Sequence, residues 1–241
     1  VGSALLGVLW VNQGVPLFFA IGAALCVGAA IGVIYALLRT KMGMPSFVST
    51  LAGLLALLGF QLFLLGSTGS INLPYGSEFV NFGQLMVMPD WVSHSFALIP
   101  GVVIFVMGVK ARSQRQQAKL SASSFGRILF KAITITCALE IVVVYLNLGR
   151  GVPWMFGVFI LLVVIMDYAL TRTKWGRSMF AVGGNAEAAR RAGINVRKVY
   201  MSAFILCATL ATLGGILASS RLAPASKQSG TGHVNLHALA S

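Results

Sequence analysis

Six apolar runs, at 16–38, 46–66, 93–109, 128–148, 154–171 and 201–219, constrain this chain more than any other feature. Crossing about 30 Å of hydrocarbon takes about 20 apolar residues at a helical rise of ~1.5 Å each. Inside hydrocarbon every backbone N–H and C=O must be paired internally, which leaves helices and closed barrels. The runs are too long for barrel strands and show little two-residue alternation, so helices are expected. Residues 1–11 read as the tail of an earlier span. The expected fold is all-α: a polytopic transmembrane helix bundle with about six full spans plus a partial first one, forming a single membrane domain over 1–241. The chain opens at Val1 in mid-run without a basic leader or cleavage site. No signal peptide is expected, and both ends read as truncated from something longer.

Charge sets the orientation. Only 10% of the residues are charged, against roughly 25% in soluble domains, yet the formal net charge is +13. A basic patch large enough for nucleic acid is missing, so no nucleic-acid partner is expected. The cations fall instead in short runs: Arg39 and Lys41; Lys110, Arg112, Arg115, Lys119 and Arg127; Arg172, Lys174, Arg177, Arg190, Arg191, Arg197 and Lys198. Alternate connections are nearly bare, with Arg150, Arg221 and Lys227 as their cations. Positively charged loops stay on the cytoplasmic side. Loops 39–45, 110–127 and 172–200 are therefore expected inside, in a multi-pass protein of a bacterial plasma (inner) membrane. Loop 110–127 reads as flexible and close to anionic headgroups. Part of 67–92 reads either as a plain loop or as a short interfacial helix with Phe79, Phe82 and Trp91 at headgroup level.

Two inner exits match, RTKMG at 39–43 and RTKWG at 172–176. Each is expected to close a span with cations at the negative end of the helix dipole and then leave through glycine. Shared exit chemistry explains the match better than an internal repeat.

Catalytic material is scarce. There is no phosphate-binding lysine loop, nucleophile elbow or zinc-binding His–Glu motif, and the chain has five acidic residues in all, so an enzyme is not expected. Cys26, Cys137 and Cys207 lie within apolar runs, without metal-ligand spacing, and read as small buried hydrophobes. Glu140 and Asp167 fall inside spans, where an acid is costly and suggests function. Asp167 can reach the basic inner edge; Glu140 could contact a sugar hydroxyl, carry a proton or serve a helix contact. Thr50, Gln61, Thr134, Thr136 and Asn147 are the neutral polar candidates for a translocation pathway, although each could instead bond helix to helix or to its own backbone. His233 and His237 are loop residues without metal partners in view.

One segment is neither apolar nor simply basic: GGNAEAARRAGINVRKV at 183–199. Gly183 and Gly184 are expected to break the preceding segment, Asn185 to cap a helix, Glu187 to occupy its first turn and Gly193 to end it. A helix of about two turns, Ala186–Ala192, follows. It is too short to persist alone. Ala188, Ala189 and Ala192 share a small-residue face, and Glu187 can pair with Arg190 and Arg191 on the other. Alanine supplies too little apolar area for lipid binding, so the shape suits docking in a cleft of a cytoplasmic partner.

The stretch RTKWGRSMFAVGGNAEAARRAGINVRKV, at 172–199, closely resembles the cytoplasmic coupling loop of sugar-importing ABC transporter permeases of the ribose/galactose/xylose group. GMPSFVSTLAGLLAL at 43–57 and ILASSRLAPASKQSGTG at 216–232 resemble an inner span start and an outer segment of that family, and the 110–127 loop and YLNLGRGVP at 145–153 resemble its xylose-type members. The resemblance implies a pore-forming subunit that pairs with a second permease copy as a homodimer. A cytoplasmic ABC ATPase would hydrolyse ATP, this chain binding no cofactor itself, and an extracytoplasmic sugar-binding protein would deliver substrate. By the same resemblance Gly184, Asn185, Glu187, Ala188, Ala189, Arg190, Arg191 and Gly193 form the ATPase-coupling element. The family runs to more spans than are present, and Asn235-Leu236-His237 stands where it commonly has Glu-Leu-Asp. Two other classes remain open: an ion-coupled secondary transporter using Glu140 and Asp167, and a structural or regulatory membrane subunit.

Overall fold

A computed structural model describes residues 1–66, 69–74, 76–117, 124–222 and 224–226. Lys119, Lys227, His233, Asn235, His237 and the Arg115 side chain lie outside the described residues. The chain enters as α1 (Gly2–Gly7), which runs into one π-helical turn, Val8–Asn12. Then follow α2 (Leu17–Lys41), α3 (Ser46–Leu65), β1 (Ser70–Asn72), α4 (Glu78–Gln84), α5 (Asp90–Gln117), α6 (Phe125–Asn147), α7 (Trp154–Arg172), α8 (Lys174–Gly184), α9 (Ala186–Arg191), α10 (Val196–Leu222) and β2 (Pro224–Ser226). Six of these helices, α2, α3, α5, α6, α7 and α10, are long and apolar enough to cross a membrane. They are the six expected spans.

The chain divides into two compact units, one of 1–84 with 158–241 and one of 85–157. In the first, α2 and α10 run antiparallel along each other's length. The contact face of α2 is a ladder of small residues four apart: Ala20, Ala24, Gly28, Gly32 and Ala36, all buried. Within lipid, apolar side chains gain nothing by leaving hydrocarbon, so close backbone approach and dispersion must hold helices together. The approach is close. A methyl group added at Gly32 would stand 2.7 Å from the Ile205 Cα and 2.8 Å from the Phe204 carbonyl oxygen. One added at Gly28 would run into the Thr212 side chain.

At the far end of this pair, Leu6, Ala24, Leu73, Phe79, Val80 and Ile216 form a buried cluster, and Trp10 meets Phe79 edge to face at 5.9 Å. Residues 78–84 are indeed a short helix, but Phe79 is a core residue and not a headgroup-level one; Trp91 is exposed. Its neighbour β1 pairs antiparallel with β2, so a two-stranded ribbon joins the otherwise helical fold. The Gln84 amide donates to the Arg221 carbonyl at 3.0 Å, tying α4 to the end of α10.

The second unit is built on the α5–α6 hairpin. The expected inner loop is shorter than 110–127, because α5 continues as helix to Gln117. Its basic residues alternate with Gln and Ala, which are good helix formers, so a helix begun in the membrane propagates outward. Gly108 of α5 lies against Ile128 of α6, and Phe105 meets Phe125 at 6.0 Å.

Two further expectations fail. Cys26, Cys137 and Cys207 are exposed, not buried: a thiol is apolar enough for a hydrocarbon-facing surface and gains nothing by hiding. The two matching pentapeptides also do different work. Gly43 leaves α2 with a φ of +64°, as expected for an exit. Gly176 lies inside α8 and is buried against the Leu170 backbone, where a Cβ would collide. Thr173 makes the difference. Thr40 and Thr173 each donate to the carbonyl four residues back, at Ala36 and Ala169, but the Thr173 hydroxyl also accepts from the Gly176 N–H at 3.2 Å and starts a new helix, whereas Thr40 stays within α2.

Candidate functional site

The segment at 183–199 follows a corner. Chain direction turns at Thr173, and α8 runs on to Gly184, so Gly183 and Gly184 extend a helix instead of breaking one. Trp175 donates from Nε1 to the Ser202 hydroxyl at 2.7 Å, which pins α8 onto α10. Val182, Ala189, Val196 and Val199 close a small core, with Met179, Ala186, Ile194 and Tyr200 around it. The signal for α8 was available: Trp175, Met179 and Val182 recur at helical spacing.

Between α8 and α10 stands α9, closed at both ends by side chain and backbone. Asn185 Oδ1 accepts from the N–H groups of Glu187 and Ala188, both at 3.0 Å. At the other end the Gly193 N–H donates to Arg190 and the Ile194 N–H to Ala189, each at 3.0 Å, with Gly193 at φ +82°. That is the paired Schellman closure, and it needs a residue comfortable in the left-handed region. Both caps were legible in the sequence, and the helix spans Ala186–Arg191, one residue shorter than expected.

The alanine face divides. Ala189 is 4% exposed and faces the chain's own small core, while Ala188 and Ala192 are exposed. The outward surface of α9 therefore presents Ala188 and Ala192 with Glu187, Arg190 and Arg191. Glu187 lies 3.7 Å from each of these arginines, but all three side chains are well exposed. Such pairs hold by a few tenths of a kcal/mol in isolated helices.

Loop 39–45 meets the docking segment. Arg39 stacks its guanidinium 4.9 Å from the Tyr200 ring centre. Arg39, Thr40, Gly43 and Met44 line one cavity with Arg190, Ile194, Asn195, Val196, Arg197 and Tyr200. The end of α2 and the start of α10 thus share one end of the pair, as two inner loops must.

In the second unit the polar span residues form two rungs between α5 and α6. His94 Nδ1 stands 2.7 Å from Glu140 Oε2, with the side chains 40% and 27% exposed. Asn147 Nδ2 donates to the Ser93 hydroxyl at 3.0 Å, and the Ser93 hydroxyl donates to the Asp90 carbonyl at 2.8 Å. Asn147 Oδ1 is buried without a hydrogen-bond partner among the described residues. His94 and Ser93 were missed by sequence reasoning, although folding the chain at the basic loop brings 94 near 140.

The remaining candidates are separate. The Thr50 and Thr134 hydroxyls donate to backbone carbonyls one turn back, at Phe47 and Phe130, and both residues are exposed. Thr136 does the same to Ala132. Gln61 is buried in α3. Asp167 is exposed, and its carboxylate forms no ion pair among the described residues.

Six helices long and apolar enough to cross a membrane, with a short, doubly capped helix between two of them, define a polytopic helical membrane protein. The chain belongs to the family described as branched-chain amino acid transport system / permease component, whose model matches residues 1–239. It is 28% identical over 228 residues to the xylose transport system permease protein XylH of Haemophilus influenzae, covering 95% of this chain and 59% of that protein. Against XylH of Escherichia coli K12 the identity is 33% over 195 residues, covering 77% and 47%. The ribose import permease protein RbsC of the same organism is 39% identical over 94 residues, 37% of this chain and 28% of RbsC. The chain thus spans about half the length of the curated xylose permeases it matches. No solved structure matches it. With six spanning helices and permeases as relatives, it is a multi-pass inner-membrane protein.

Proposed function

We propose that this chain is a membrane-spanning part of an ATP-driven sugar importer and that α9 transmits the motion of a separate cytoplasmic ATPase. The observation that carries this reading is the preorganisation of α9: a six-residue helix held by a double Asn185 cap, a Gly193 closure and its own small core. A helix that short would otherwise be unfolded, so its order serves to present the exposed face. The names of its relatives support xylose or a related pentose or hexose as substrate. A second permease copy, an extracytoplasmic sugar-binding protein and the ATPase complete the machine, and ATP is hydrolysed outside this chain.

The two polar rungs suit the translocation pathway. Glu140 and Asn147 Oδ1 offer acceptors for sugar hydroxyls, and a neutral substrate requires such groups on an otherwise apolar passage. Ion coupling through Glu140 and Asp167 is the competing reading; the His94–Glu140 pair is the observation that favours it.

Ala188→Trp decides the main reading. It adds bulk on the exposed face without touching the small core, so the protein should fold while sugar uptake falls at least tenfold and ATPase stimulation by substrate is lost. Normal uptake in that variant would refute docking through α9. Collapsing the proton gradient at constant ATP separates the rival: uptake should survive, and its loss would favour ion coupling.

A further inference from the structure

The cavity between the end of α2 and the start of α10 has a volume of about 490 Å³ and is lined by three arginines, Arg39, Arg190 and Arg197, with no acid among its lining residues. Arg39 is held in place on the Tyr200 ring. Arg190 has only the exposed, long contact to Glu187, and Arg197 forms no ion pair among the described residues. Lys41, Arg191 and Lys198 are the neighbouring cations along the chain. Three guanidinium groups around one cavity repel one another, and an anion between them removes that repulsion. Guanidinium also presents a rigid fork that matches phosphate oxygens two at a time, a fit an ammonium group lacks.

The cavity's position selects the source of the anion. With 25 residues, α2 spans about 37 Å, more than the ~30 Å hydrocarbon core, so its last turn stands at headgroup depth. The chain leaving the cavity is apolar and exposed: Met42, Met44, Phe47 and Val48. A ligand with a charged head among the arginines and an acyl body along those side chains matches both surfaces. We infer that this cavity binds the phosphate headgroup of an anionic phospholipid of the inner leaflet, next to the docking helix. This inference rests on the spans and the cavity, and stands whether or not the chain carries sugar.

The test uses the purified full chain in neutral detergent, titrated separately with phosphatidylglycerol, phosphatidylcholine and inorganic phosphate, with bound lipid counted by native mass spectrometry. One phosphatidylglycerol should be retained in preference to phosphatidylcholine. Each arginine near the surface of an anionic headgroup is expected to contribute about fivefold in affinity, so R197Q should weaken retention about fivefold and R39Q/R197Q about 25-fold. R221Q, which removes the same charge at the opposite end of α10, should change nothing. Because Arg197 is exposed and unpaired, R197Q alone decides the matter if the double variant misfolds. Equal retention of phosphatidylcholine, or unchanged retention in R197Q, would overturn the inference. So would full displacement of the lipid by inorganic phosphate at matched concentration, which would make the ligand a soluble anion. Variants that keep the lipid but lose association with the ATPase would assign the arginines to the protein partner and overturn it as well.

Discussion

The two helix pairs, α2–α10 and α5–α6, solve the same problem by different means. The fully buried residues of α2 are all alanine or glycine, and the partner backbone comes within reach of where a side chain would be. Along α5–α6 glycine also appears, but two polar rungs, His94–Glu140 and Ser93–Asn147, cross the interface. In this dry, small-residue seam the Thr212 hydroxyl beside Gly28 already donates to the Ala208 carbonyl at 2.8 Å. A polar seam costs stability in lipid unless its groups are paired, and one acceptor, Asn147 Oδ1, is left over. The first pair meets through small residues, and the second also through paired polar groups.

The largest effect should come from breaking the dry seam. Gly32→Leu places a side chain on the Ile205 and Phe204 backbone, which cannot yield as a flexible side chain would; a loss on the order of 3 kcal/mol is expected, read as unfolding in mixed micelles. If Gly32→Leu unfolds like the native chain, the seam is not what holds α2 to α10. Next comes the polar seam. Glu140→Leu leaves His94 without its partner and should cost about 1 kcal/mol, with a clear loss of uptake, while Glu140→Gln keeps a hydrogen bond to His94 and should preserve stability. Equal stability loss in both variants would make charge, not hydrogen bonding, the essential feature of that rung.

The capped helix α9 extends the contrast to a segment between two spans. Gly193→Ala forces a Cβ into the left-handed region and should loosen α9 by about 1 kcal/mol, seen as faster amide exchange at Gly193 and Ile194 with the spans unaffected. Glu187→Ala should be smallest, a few tenths of a kcal/mol, because the pairs it removes are long and exposed. A larger effect would mean that Glu187 meets a partner outside this chain.

The spans were legible because length and hydropathy suffice for a helix in lipid, and the α9 caps because Asn185 and Gly193 act over three or four neighbouring residues. What failed needed distant geometry. The α2 ladder is present in the sequence, yet Gly22, Ala23, Ala29 and Ala30 offer equally small residues on other faces, so composition alone does not choose one. The role of Gly176 depends on where the Leu170 backbone runs, and His94 finds Glu140 only once the hairpin register is known. The alanine face was read correctly as small but wrongly as uniform: the tuck of Ala189 into Val182, Val196 and Val199 depends on α8, which was read as loop.

Only Ile194 and Asn195 separate Gly193 from α10, whose 27 residues make a strut about 40 Å long. A swing imposed on α9 would reach that strut through two residues and would grow with distance from the pivot. A tilt of about 5° at its base would carry the far tip, where Arg221 meets Gln84, by roughly 3.5 Å. A modest closing movement on one face of the bilayer would thereby become a displacement larger than an atom on the other.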